Sequence, residues 1–210
     1  MALNLTSSTR YTGVAITLHW VIALLIFAMI PVGWWMSDAI LEKATRAQAL
    51  QVFPIHKATG ITILALTVVR LLWRLTHRAP PLPQKMPGWE KLAARATHWG
   101  FYILLFAMPL SGWIYASAGY SEAFHSFISV PLSWFGLFPI PEFPGVSAQP
   151  DETRKAIGLT AVAVHSKLAW VMIALAGLHI AAALKHQIVN RDDVLSRMLP
   201  FLKAPNSAKG

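Results

Sequence analysis

Apolar positions in this chain follow neither the two-residue alternation of a half-buried strand nor the single stripe of a surface helix. They run on for about twenty residues at a time, the length an α-helix needs to cross the ~30 Å hydrocarbon layer of a bilayer. Four such runs are present: Val14 to about Met36, Pro54 to Trp73, Ala96 to Ser117 and Gly158 to Lys185. The first exceeds a signal-peptide core, contains a histidine and lacks a clean small-residue cleavage site, so it reads as a permanent span. Between the runs lie a polar connection at 37–53 with room for a short amphipathic helix, and a basic linker, RLTHRAPPLPQKMPGWEKLAARA, that its prolines break. The longest connection, at about 118–156, contains FISVPLSWFGLFPIPEFPG. Its proline spacing argues against a fifth helix, and its aromatic rings suit the headgroup region above the bundle.

The expected fold is all-α and integral to the membrane, a four-transmembrane-helix bundle. Residues 1–13 form an amino-terminal tail, 14–188 the membrane domain with its long external loop, and 189–210 a basic tail. Composition agrees: 55% of the 210 residues are hydrophobic and only 13% charged, with nine tryptophans, of which Trp20, Trp34 and Trp35 mark the ends of the first span. The net charge of +9 could point to nucleic acid, but the basic residues flank apolar spans. The amino end, the linker after the second span and the tail carry twelve Lys and Arg against Glu90, Asp192 and Asp193, whereas the other side carries six of each sign. That asymmetry reads as positive-inside, with both termini in the cytoplasm, the long loop outside, the bilayer as partner and no nucleic acid. The chain is expected to cross its membrane several times.

The absence of cysteine excludes disulfides, thiolate-held iron–sulfur clusters and haem attached through Cys-x-x-Cys-His. It leaves histidine as the candidate ligand. His165 and His179 share the fourth span, and fourteen steps of about 1.5 Å and 100° put them on nearly one face, ~21 Å apart. In the expected topology His19 lies at the inner depth of His179, and His56 at the outer depth of His165. Each pair could hold one haem iron between two imidazoles, a saturated arrangement suited to electron transfer. The rival explanations are hydrogen-bonded interior histidines, or the lining of a proton or metal-ion path in a small transporter.

Four residues beyond these histidines stand Ala23, Gly60, Ala169 and Ala183, all small. Helical side chains lean toward the amino end, so the residue at that offset covers the space beside the ring, where a flat macrocycle would lie. Helix packing alone also favours small residues. His98 reaches the inner depth too and competes with His19. His186 reads as interfacial, near a quinone or a haem propionate. Lys57, Lys167, Arg70 and Arg74 are cations near the boundaries, candidates for propionate pairing or plain snorkelling.

The segments LHW, PIHKATGI, VVRLLWRL, VHSKLAW and GLHIAAALKHQ, in this order and spacing, resemble the prokaryotic cytochrome b561 family, as does the tail HQIVNRDDVLSRMLP. The resemblance spans nearly the whole chain. It implies two haems b, the inner on His19 and His179 and the outer on His56 and His165, an arrangement similar to that of the cytochrome b subunits of formate dehydrogenases and nickel hydrogenases. It also implies electron exchange with a quinone such as ubiquinone. The function expected is an oxidoreductase-type electron carrier between an unidentified external donor and the quinone pool. Rivals within this class are superoxide:ubiquinone oxidoreductase, for which the charge-balanced external loop offers no positive funnel, and an anchor subunit relaying electrons for a dehydrogenase.

Overall fold

Within a bilayer no water is present to satisfy backbone amides, so an apolar run must satisfy them internally as helix. The computed structural model describes residues 10–128, 130–199 and 201–202, and in it all four runs do so. They form α1 (Gly13–Ala39), α2 (Arg46–Thr76), α3 (Gly88–Ala118) and α4 (Asp151–Lys185), the last continued by a π-helical turn at His186–Asn190. Each is long and apolar enough to cross a membrane. The outward surface is oily: Leu24, Ile103 and Leu178 are 64%, 67% and 68% exposed, as expected of side chains that meet lipid.

The helices pack closely in chain order, α1 on α2, α2 on α3 and α3 on α4. At mid-height one cluster joins all four, with Ile22, Ile63, Leu104, Leu105 and Met172 buried together. The pairs α1–α4 and α2–α4 are not among the closely packed ones, so α4 stands apart from the first two helices except where side chains bridge them.

Three helices begin earlier than their apolar runs. Pro54, expected near a helix start, lies inside α2, which opens at Arg46. Residues 46–53 stay helical because Ala49 is fully buried beside Ala39 and Ile40, with Phe53 and Phe124 packed on them, and this tertiary contact outweighs the proline break. The polar connection expected over 37–53 is therefore largely helical. Helix α3 starts at Gly88 and α4 at Asp151, where Asp151 and Glu152 complement the positive end of the helix dipole. Hydropathy marks where the bilayer begins, and polar helix continues past it.

Among the described residues of the loop between α3 and α4 there is no α-helix. It holds two short antiparallel hairpins, β1 (Tyr120–Ser121) with β2 (Ser126–Phe127), and β3 (Ser133–Trp134) with β4 (Phe138–Pro139). Side chains tie it down. Trp134 Nε1 donates to Thr62 Oγ1 (3.0 Å), Lys57 Nζ to the Val130 carbonyl (2.7 Å), Trp113 Nε1 to the Pro141 carbonyl (2.9 Å) and Arg154 Nη2 to the Ala118 carbonyl (3.0 Å). At the opposite end the tail folds back: Trp20 Nε1 donates to the Met198 carbonyl (2.8 Å), and Arg197, 9% exposed, donates to the Pro81 carbonyl (2.5 Å). Of the two expected tails, residues 1–9, 200 and 203–210 lie outside the described residues.

Because Ile22 is 1% exposed at the four-helix contact, Ile22→Ala should lower stability by about 2–4 kcal/mol through lost packing. Leu24→Ala, on the lipid side, should stay within about 0.5 kcal/mol. Thermal unfolding of the two variants in detergent checks the contrast.

Candidate haem site

Helix α4 carries His165 and His179, and Met172 stands seven residues from each, in the four-helix core. Two imidazole pairs therefore flank that core. His165 meets His56 of α2 with ring centres 6.3 Å apart and planes at 68°. His179 meets His19 of α1 at 6.3 Å and 66°. Two imidazoles trans on one metal, each bonded at about 2.0 Å, bring their ring centres to roughly 6 Å. Both pairs lie across α1–α4 and α2–α4, the helix pairs whose backbones are not closely packed.

The His56 and His165 rings are seated by glycines on the neighbouring helices. A Cβ on Gly112 of α3 would meet His165 Cε1 at 3.1 Å and Nδ1 at 3.3 Å, closer than ordinary contact, and a Cβ on Gly33 of α1 would meet His56 Cε1 at 3.5 Å. His165 Nδ1 lies 2.9 Å from the Met108 carbonyl and 3.1 Å from Ser111 Oγ. A carbonyl only accepts, so Nδ1 carries the proton and Nε2 keeps its lone pair, the tautomer a metal requires. His56 Nδ1 is buried with no hydrogen-bond partner among the described residues. Gly60, one turn along from His56, has nothing within 4 Å of where a Cβ would stand, so it is not a helix-packing glycine.

The His19–His179 end is more crowded. His98 of α3 lies 5.9 Å from His179 at 67°, almost as well placed as His19, and Phe101 stands 5.3 Å from the same ring. Arg70 Nη2 lies 3.1 Å from His19 Nδ1. A guanidinium only donates, so here Nδ1 accepts and the neutral ring holds its proton on Nε2. Iron on Nε2 would require the opposite tautomer, and hence Arg70 to turn away from the ring.

The remaining candidates are dispersed. Arg74 lines a cavity at the end of α2 and Lys167 is exposed. Lys57 is engaged by the loop carbonyl of Val130. His186 is held between carboxylates, with Nδ1 2.6 Å from Asp192 Oδ2 and Nε2 3.7 Å from Glu90 Oε2, while Lys185 Nζ pairs with Glu90 Oε1 at 2.6 Å. That group knots α3, α4 and the tail. Gly33 and Gly112 escape a reading that tests only the histidines' own helices. Their signal is a proline shortly before a Gly-Trp pair, in Pro31-Val32-Gly33-Trp34 and Pro109-Leu110-Ser111-Gly112-Trp113.

The sequence profile described as prokaryotic cytochrome b561 matches residues 10–201. The chain belongs to the prokaryotic cytochrome b561 family. It is 34% identical to cytochrome b561 homolog 2 of Escherichia coli K12 over 192 residues, covering 90% of this chain and 91% of that one. It is 28% identical to the probable superoxide oxidase CybB of Yersinia pestis, covering 91% and 96%, and 28% identical to E. coli cytochrome b561 homolog 1, covering 92% and 99%. As a b561-family cytochrome, it is a multi-pass bacterial membrane protein that binds haem b and transfers electrons.

The residues present fit such a group. The donor set is imidazole nitrogen, His165 is in the ligating tautomer, both ring separations would let the two imidazoles share one metal, and a Cβ at Gly60 would meet nothing within 4 Å. Gly112→Ala should push the His165 ring off its position and lower haem content with a shifted reduced spectrum. Gly60→Ala should leave thermal stability of the haem-free protein within about 0.5 kcal/mol while reducing haem occupancy, since its methyl enters open space. Pyridine haemochrome assay and thermal unfolding of both variants check this.

Proposed function

We propose that this b561-family cytochrome holds two haems b and moves electrons across the bacterial inner membrane, between a donor on the outer face and the quinone pool. The observation that supports it best is the pair of matched imidazole couples, each 6.3 Å between ring centres, on opposite sides of one buried core. His56 and His165 would hold the outer iron, His19 and His179 the inner. Haem supplies a centre that changes charge by one electron without changing its ligands.

The chain's own residues do the rest. Met108 and Ser111 fix the proton on His165 Nδ1, so the ring keeps one tautomer whatever the charge of the iron. Leu104, Leu105, Ile22, Ile63 and Met172 exclude water between the two levels. At the inner level Arg70, freed from His19, would face a haem propionate, and a cation there favours the reduced state. His19 is preferred to His98 as inner ligand because its couple with His179 repeats the distance and angle of the outer couple, while His98 lines a cavity toward the cytoplasm.

A narrower reading, oxidation of superoxide at the outer face, draws support from the relative in Yersinia pestis whose name carries that activity. Rapid mixing with superoxide would reduce the haem if it holds, and an unreduced haem would exclude it.

Haem quantification with reduced-minus-oxidised spectra tests the main reading. Wild type should hold two haems per chain with bis-imidazole spectra. Replacing His19, His56, His165 or His179 by Ala should each remove one, and His98→Ala should keep both. Occupancy well below two in the wild type, or haem loss on His98→Ala with none on His19→Ala, would overturn the ligand assignment.

A further inference from the structure

The loop between α3 and α4 leaves and rejoins the bundle at one level and descends in between. Ile128 N donates to the Gly119 carbonyl (2.8 Å) and Phe143 N to Ser117 Oγ (2.7 Å), both at the end of α3. Between these ties the chain passes along α2. The Val130 carbonyl accepts from Lys57 Nζ (2.7 Å), and Trp134 Nε1 donates to Thr62 Oγ1 (3.0 Å), the residue before Ile63 of the four-helix core. From Pro54, where the apolar run of α2 begins, to Thr62 is eight residues of helix, or about 12 Å. That drop is longer than an indole side chain, so β3, which packs on α2, lies alongside the apolar run and not above it.

The turn that joins β3 to β4 presents its side chains outward. Leu137 N donates to the Trp134 carbonyl (2.9 Å) across Phe135 and Gly136, both at positive φ (48° and 77°). Glycine adopts that backbone freely, whereas an aromatic residue there is strained. The fold returns little for the strain: the Phe135 ring meets only the edge of Trp134, at 5.3 Å, and the residue is 48% exposed. Leu137 and Phe138 beside it are 73% and 53% exposed. No charged residue lies between His125 and Glu142. Free backbone donors are also few, because Pro131, Pro139 and Pro141 have no N–H and Ile140 N donates to the Leu132 carbonyl (2.9 Å).

An uncharged apolar tip beside an apolar helix is continuous with the surface that the spans present to lipid, where Ile55 of α2 is also exposed. We propose that the β3–β4 hairpin is a hook set in the bilayer leaflet on the His56–His165 side, with Phe135, Leu137 and Phe138 among the acyl chains and Trp134 fastening it to α2. Transfer of these three side chains out of water outweighs the strain at one residue. The hydrogen bonds inside the hairpin meet the condition that lipid sets on irregular backbone. A water-soluble partner would find no charge to pair with and would have to reach below the start of the apolar run.

The chain has no cysteine, so single labels can be placed cleanly. The test uses full-length haem-loaded Leu137→Cys and Phe138→Cys, each tagged with a nitroxide and returned to vesicles of palmitoyl-oleoyl phosphatidylcholine. Leu24→Cys is the lipid reference and Glu152→Cys the water reference. Power saturation of the electron spin resonance compares collisions with oxygen, which concentrates in hydrocarbon, and with a water-soluble nickel chelate. Both hairpin labels should match Leu24, with oxygen collisions in excess and haem content as in wild type. Nickel collisions as frequent as at Glu152 overturn the proposal, since the tip would then stand in water. Protection from both reagents, with dipolar broadening that unlabelled protein dilutes away, also overturns it, since a second copy would then cover the tip. Phe135→Gly supplies an independent arm. It relieves the backbone, so the unfolding temperature in detergent should hold or rise while nickel collisions at the Leu137 label rise in vesicles. A lower unfolding temperature with the label unmoved means that the ring serves the fold, and overturns its place in the lipid.

Discussion

The rest of the structure depends on the rise of a single helix. From His165 to Met172 and from Met172 to His179 is the same interval of two turns, about 10 Å each, so α4 presents imidazole, thioether and imidazole on one face. The middle one is buried in the contact that all four helices share, and the outer two meet partners from different helices. Neither partner could move along its own helix by one residue without swinging through about 100° and losing the meeting. The bundle is therefore registered by chemistry at two levels and by packing at the level between.

The two ends are built differently. At the His56–His165 end, Gly33 and Gly112 leave room for the rings, Met108 and Ser111 orient one of them, Lys57 is turned to a backbone carbonyl of the loop and Arg154 to the last carbonyl of α3. At the His19–His179 end the rings are more numerous, Arg70 contacts one of them directly, and the ring of His98 also lines a cavity.

The spans and the histidine couples were legible in the sequence because a bilayer leaves few choices. Length and hydropathy determine the helix, chain direction determines depth, and depth brings His56 to His165 and both His19 and His98 to His179. Helix starts were not legible, since residues 46–53 and 151–157 are polar helix beyond the apolar runs, held by the burial of Ala49 and by Asp151 and Glu152 at a helix start. Gly33 and Gly112 were hidden for another reason. A glycine that makes room for a ring on a different helix has no fixed sequence offset from it. Arg70 beside His19 and the Glu90–His186–Asp192 group depend on side-chain reach across helices, which periodicity does not encode.

The separation of α4 from α1 and α2 carries a consequence for the opening of the bundle. Beyond the four-helix core, α4 meets α1 and α2 chiefly through rings, His179 on His19, His165 on His56 and Trp170 on Trp34. Contacts made by side chains alone open more readily than packed backbone. A group that bridged the ring pairs would join α4 to α1 and α2 at two further levels and oppose that opening.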